Sequence, residues 1–565
     1  MSASRFGFRR RRGNRGASSP RLTSRPGSRV LLAGVVGALL IVSGCGSDDG
    51  GDSGESGSEG DGAAENTGGT FSVGTDEPDH LTPHRMTGAF NEVDALFSGL
   101  VEFGDGTEPK NLHAESIESD DNIVWTITLK DGWTWHNGEP VVAEDYVDAW
   151  NATAYGPNGW ANNAQLSNIE GYDELNPQDG EPEQDTLSGL EVIDDRQFQV
   201  TLKSADSQFP YKLKLPGFYA LPAVAFEDPD AFDEAPIGNG PFRMDGTWEH
   251  DVQISMVRYE DYRGPQPNAD GVIFKIYSDQ ETAYTDAVAG QVDIVSVPQT
   301  RFQQVEQDFG DRFISFQAVR LDWVGFPLWD ERFQDKRLRQ AISMAIDRDE
   351  INEAIFAGIY EPATSLHGAN VGGGGTEGLC GEYCEFNPER ANELLAESGW
   401  TDSTLELWYP GGVGYDQTFE AIANQVRQNL DAIDEVQLQT QPGFPAFIEA
   451  LEEHSATGMF RGGWGSLYPT MQNQLTEVWS SMGSGRAGAG SYENPDVDAL
   501  IQQADAASTL DEANELYKQA EALIMDDFPG VPLFYATYNF AHSENVSNVI
   551  VGFDEIELTD VVVNS

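Results

Sequence analysis

The sequence predicts a multidomain chain of the α/β or α+β class. Three observations point there: period-two apolar alternation marks strands, helical periodicity marks long segments between them, and no fixed-period repeat runs along the chain. At 565 residues the chain is about three to four times the ~150-residue size of one domain. Hydrophobic residues make up 39%, with 12 Trp, 29 Phe and 18 Tyr, which is ample for burial and excludes wholesale disorder.

Taken in order, residues 1–29 carry nine Arg (Arg5, Arg9, Arg10, Arg11, Arg12, Arg15, Arg21, Arg25, Arg29) and no acid, and an apolar run from Val30 to Val42 follows. These are the cationic and apolar regions of an export signal. The run has 13 residues, short of the ~20 that a permanent membrane helix needs. It ends in Val42-Ser43-Gly44-Cys45, which resembles a bacterial lipobox. That resemblance implies that residues 1–44 are a lipoprotein signal peptide and that Cys45 becomes the lipidated first mature residue. The alternative is an ordinary cleaved signal with an incidental cysteine. Residues 45–69 form an acidic Gly/Ser linker, a self-repelling tether with almost nothing to bury. Removing the nine Arg of residues 1–44 takes the formal charge from −61 to −70. Such a chain lacks the cationic surface that nucleic acid requires, so no nucleic-acid partner is expected, and strongly anionic ligands are disfavoured.

In the mature chain, alternation predicts strands at Val124–Lys130, Gln197–Lys203, Val252–Arg258, Gly271–Tyr277 and Thr404–Tyr409. Helical spacing predicts Ala143–Ala154, Thr282–Gly290, Leu338–Ala357, Pro388–Ser398, Phe419–Asp431, Asp496–Ala506 and Leu510–Met525. Asn387 and Asn494, each followed by Pro, are N-cap signals. Cys380 and Cys384 lie in a Gly-rich stretch, and outside the cell a local disulfide is favoured over free thiols. No long apolar run recurs after residue 45.

The segment Val124–Trp150, VWTITLKDGWTWHNGEPVVAEDYVDAW, resembles the hallmark of family 5 extracytoplasmic solute-binding proteins, the oligopeptide and dipeptide receptors of ABC importers. Further pieces fall in the family's order, among them Phe97–Leu100 (FSGL), Pro236–Phe242 (PIGNGPF), Asp270–Tyr277 (DGVIFKIY), Lys336–Arg348 (KRLRQAISMAIDR) and Arg461–Pro469 (RGGWGSLYP). The resemblance implies an α/β, periplasmic-binding-protein-like fold of the cluster C type, with two hinged lobes and an inserted third domain. Lobe I is expected from 70–100, 233–317 and 526–565, domain II from 101–232, and lobe III from 318–525. An ABC permease with its ATPase subunits is the implied partner, and a small peptide or peptide-like solute the implied ligand. A monomer held by lipid to the outer face of the cytoplasmic membrane is expected, with no cofactor and no catalytic residue.

A receptor for peptides of many sequences binds their shared backbone and termini. In RGGWGSLYP, read as a loop, Gly463 and Gly465 admit a ligand closely while Trp464 and Tyr468 supply flat walls. By the same matching, Phe444 is a cleft aromatic and Arg461 is available to a carboxylate. Gly88, Ala89 and Phe90 line lobe I, and Trp160 and Asn162 reach in from domain II. Oligopeptide receptors carry an Asp for the ligand ammonium where this sequence has Leu467. Either another acid takes over, or the ligand lacks a free amine, as a blocked peptide or sugar conjugate does.

Rival readings are weaker. No G-x-S-x-G elbow or H-E-x-x-H helix supports a hydrolase. His80 and His84 have i, i+4 spacing, but Pro83 argues against a metal-binding helix, so exposed loop residues are expected, with a metal chelate the minor alternative. A regulatory lipoprotein that reuses the fold is the third possibility.

Overall fold

The computed structural model describes residues 68–104, 106–553 and 555–564. The expected signal peptide, Cys45 and residues 46–67 of the tether lie outside them. Among the described residues no helix is long and apolar enough to cross a membrane.

An 11-stranded mixed sheet carries the fold. From one edge its order is Glu435–Pro442, Thr404–Gly411, Met459–Gly465, Phe313–Gly325, Gly530–His542, Ile294–Ser296, Thr70–Thr75, Gly271–Ile276, Gln253–Arg258 and Phe242–Met244. The half around Thr70–Thr75 is labelled lobe I, and the half around Met459–Gly465 lobe III. Thr70–Thr75 lies between two parallel neighbours, Gly271–Ile276 and Ile294–Ser296, so three strands end on the same side. The carboxyl ends of parallel strands are where α/β sheets place ligands.

The lobes are joined through two 13-residue strands, Phe313–Gly325 and Gly530–His542. Phe313–Gln317 pair with Thr537–Ala541 on the lobe I side, and Leu321–Gly325 pair with Gly530–Tyr535 on the lobe III side. Between these runs Ala318, Val319 and Arg320 oppose Ala536 alone, a bulge that breaks the ladder between the two strands. Glu361–Pro362 adds two residues of pairing to Phe534 and Tyr535. The sequence reading did not include either long strand.

A separate antiparallel sheet of four strands, Ala114–Glu118, Val124–Leu129, Gln197–Thr201 and Leu190–Asp194, lies between residues 101 and 232. Helix Ala143–Ala154 covers it, stacking Tyr146 on Phe198 at 5.7 Å and setting Trp150 edge-on to the same ring. This domain touches lobe III: Gln472 donates to both Asp206 and Asp505, and the Ser207 amide donates to the Asp505 carbonyl.

Two expectations are corrected here. The single helix over Leu338–Ala357 is two, Lys336–Met344 and Arg348–Phe356, because the Asp347 side chain accepts from the Glu350 amide and starts a new helix. RGGWGSLYP is not wholly a loop, since Met459–Gly465 is a strand paired with Arg320–Gly325. Gly462 is needed because a Cβ there would run into the Trp323 indole. Asn387 and Asn494 cap their helices through the Arg390 and Asp496 amides, and Cys380 and Cys384 are disulfide-bonded with Cα atoms 5.6 Å apart.

Candidate ligand-binding cleft

Two cavities open on the walls that lobes I and III contribute. The lobe I cavity, about 370 Å³, lies beyond the carboxyl ends of the parallel strands, and Asp76, Glu77, Asp79, Gly88, Ala89 and Glu92 are among its lining residues. Its rim is a braced loop. Asp79 accepts from the Thr87 hydroxyl at 2.7 Å and the Thr87 amide at 3.1 Å. Buried Asp233 accepts from the Leu81 and Thr82 amides and pairs with Arg85 and His80. A Cβ on Gly88 would meet nothing within 4 Å, so that position faces open space.

The expectations for His84 and Asn162 are corrected by this loop. His84 is fully buried, with Nε2 3.1 Å from the Tyr219 carbonyl, and burial pushes its pKa down to about 3. It is a neutral donor beneath the loop, and His80 turns away to Asp233. Among the described residues no group of three or more His, Cys, Asp or Glu has metal-holding geometry. Trp160 packs on the His84 ring at 5.9 Å, and Asn162 Nδ2 donates to the Pro83 and Met86 carbonyls. Asn162 therefore braces the loop from behind, while Trp160 stays partly exposed beside it.

The lobe III cavity, about 200 Å³, is lined by Arg320, Asp322, Tyr360, Tyr415 and Arg461, with Gln299 contributed from the lobe I side. Strand alternation sets Arg320 and Asp322 on one face, and cross-strand pairing sets Arg461 near them. Arg461 is 8% exposed, and the carboxylate it meets within the chain is Asp322, at 2.8 Å. Arg461 and Arg320 both donate to the Tyr415 hydroxyl, at 2.8 and 2.9 Å. The Arg461 guanidinium lies 4.6 Å from the Tyr415 ring centre and 5.5 Å from that of Phe444, which is itself edge-on to Tyr415. Two guanidiniums against one carboxylate leave this wall net cationic.

The rest of RGGWGSLYP divides. Gly465 is exposed, whereas the indole nitrogen of Trp464 donates to Asn473 at 2.8 Å. Tyr468 is not a ligand wall: it is buried, donates to Gln472 and lies over Lys212 of the inserted domain. Leu467 is 49% exposed and lines a third, smaller cavity together with Phe90.

Sequence reasoning missed Arg320, Asp322, Tyr415 and Glu92. For the first pair the signal was the i, i+2 spacing of charges inside an apolar alternation. For Glu92 it was an acid on the buried face of a helix, one turn from Leu96. Burial raises the Glu92 pKa to about 7 against an offsetting Thr75 hydrogen bond, and the Asp76 charge adds to the rise.

The profile of bacterial extracellular solute-binding proteins, family 5 (middle), matches residues 108–486. The dipeptide-binding protein DppE of Bacillus subtilis is 25% identical over 492 residues, covering 84% of this chain and 88% of that protein. The heme-binding protein A of Haemophilus influenzae is 24% identical over 469 residues, covering 78% and 82%. Among solved structures, the unliganded open form of the periplasmic murein tripeptide-binding protein MppA superposes with a TM-score of 0.75 at 22% identity, over 88% of this chain and 97% of that one. The substrate-binding protein CtaP of Listeria monocytogenes gives 0.72 at 23% identity, over 88% and 100%.

Proposed function

This chain belongs to the bacterial extracellular solute-binding proteins, family 5, and we propose that it captures a peptide or peptide-like solute between lobes I and III and hands it to an ABC permease. The observation that carries this reading is a pair of opposite chemistries: a carboxylate-lined cavity in lobe I and a net cationic, aromatic-edged cavity in lobe III. An extended zwitterion offers both poles, and a ligand touching both walls stabilises only the closed arrangement. The bulge at Ala318–Arg320 opposite Ala536 is the natural hinge, because it interrupts the ladder of the two long strands that join the lobes. The segment limits given above for lobe I, domain II and lobe III belong to this proposal, as does anchorage through lipid on Cys45.

Gly88 and Ala89 on one side, and Phe444, Arg461, Gly463, Trp464 and Gly465 on the other, are the proposed contact residues, joined by Arg320 and Tyr415. Arg320, which shares Asp322 with Arg461 at 3.4 and 2.8 Å, receives the ligand carboxylate together with Arg461. Leu467 favours a second reading, a solute without a free amine, since an apolar side chain there cannot satisfy an ammonium. Mass spectrometry of the solute released from natively purified protein separates the two. A released peptide supports capture of peptides, and a consistently empty protein contradicts it.

A further inference from the structure

We propose that the lobe I cavity is an ammonium subsite, in which Glu92 and Asp76 hold the free amino terminus of the solute. The inference rests on the receptor reading above and names the pole of the ligand that lobe I receives. It places the ammonium in a different part of the cleft from Leu467.

Of the four carboxylates lining the cavity, two are already engaged. Glu77 meets His250 at 2.9 Å and accepts from the Asp251 amide. Asp79 is spent on Thr87 and the His80 amide. Glu92 differs from both. It is 2% exposed, and its Oε1 has no hydrogen-bond partner. Asp76 stands on the exposed rim, close enough for its charge to disfavour ionisation of Glu92. No Lys, Arg or His is among the residues lining the cavity.

A buried carboxylate with an orphaned oxygen and a like charge beside it is costly to ionise, so it takes up a proton when the cavity is empty and is stabilised in its charged form by a cation from outside. A primary ammonium suits the place, since its donors fan out toward an inner and an outer carboxylate. The cavity of about 370 Å³ has room for the amine together with the residue that carries it. The net cationic wall of lobe III then takes the other end, so the solute lies with its amine toward lobe I and its carboxylate toward Arg320.

Two matched tripeptide libraries, one with free and one with acetylated amino termini, are incubated separately with the full chain, and retained peptides are quantified by mass spectrometry after gel filtration. Retention of the free library is expected to exceed that of the acetylated one by about tenfold or more, the scale of a lost charge-assisted hydrogen bond. Glu92→Gln should lower retention of the free library by about tenfold while melting at or above the wild-type temperature. Asp76→Asn, on an exposed side chain, should lower it about threefold, and provides the test if Glu92→Gln fails to fold. Equal retention of the two libraries, or unchanged retention in both variants, overturns the subsite and leaves the receptor reading standing. Retention of neither library overturns the peptide reading and the subsite with it.

Discussion

Glu92 and Asp94 stand two residues apart on the helix Phe90–Leu96, yet they meet opposite electrostatic surroundings. Burial pushes the pKa of Asp94 up, but the Lys214 charge, with hydrogen bonds donated by Lys214 and Tyr219, outweighs this and holds it low. Lys214 pairs with Asp94 and with Glu555 at 3.2 Å, and the Tyr219 hydroxyl donates to Asp94 at 2.8 Å. Glu92 has no such cation, and its pKa rises to about 7. One acid is part of the scaffold, tying the helix to residues 214 and 555. The other leaves a deficit that a ligand can fill. The difference teaches that buried charge marks a site here only where the protein has not already neutralised it.

The sharpest way to break this comparison is Lys214→Met. Removing the cation strands buried carboxylates, so unfolding in urea should show a loss of about 3–5 kcal/mol. Glu92→Gln should show no comparable loss at neutral pH. Equal destabilisation by both variants would erase the distinction between scaffold acid and site acid.

The next effect is a pH dependence. The folded-state pKa of Glu92 is raised from 4.5 to about 7, so its neutral form is favoured on folding. Its contribution to stability is complete below about pH 4.5 and is lost as pH rises through about 7. The shift corresponds to the order of 3 kcal/mol between those limits. Glu557 is raised to about 7 by burial as well and contributes with the same sign. The quantity to measure is therefore the difference between wild type and Glu92→Gln, which should grow from pH 5 to pH 8 in favour of the variant. A pH-independent difference would contradict the surroundings assigned to Glu92.

Much of the architecture was legible because its signals are local. The helices capped by Asn387 and Asn494 and the strands at Val124 and Gly271 show their cause within a few residues, and the ordered family segments supplied the two-lobe plan. What escaped depends on distant partners. Arg461 looks free in sequence, yet its carboxylate, Asp322, lies 139 residues away on the neighbouring strand. His84 looks like an exposed loop residue until the Tyr219 carbonyl, 135 residues on, closes over it. The long strand Phe313–Gly325 hid because it passes from one lobe to the other, so the face that is buried changes at the bulge and regular alternation fails. Asp347 hid for a different reason: a single cap can divide a helix without disturbing its apolar period.

The central claim is capture of a solute between two lobes that close about the bulged strand pair. Small-angle X-ray scattering of the full chain, before and after adding the free-amine tripeptide library, tests it most directly. The account predicts a smaller radius of gyration on addition, reversed when the peptides are dialysed away. Peptide retention with an unchanged scattering curve would contradict it.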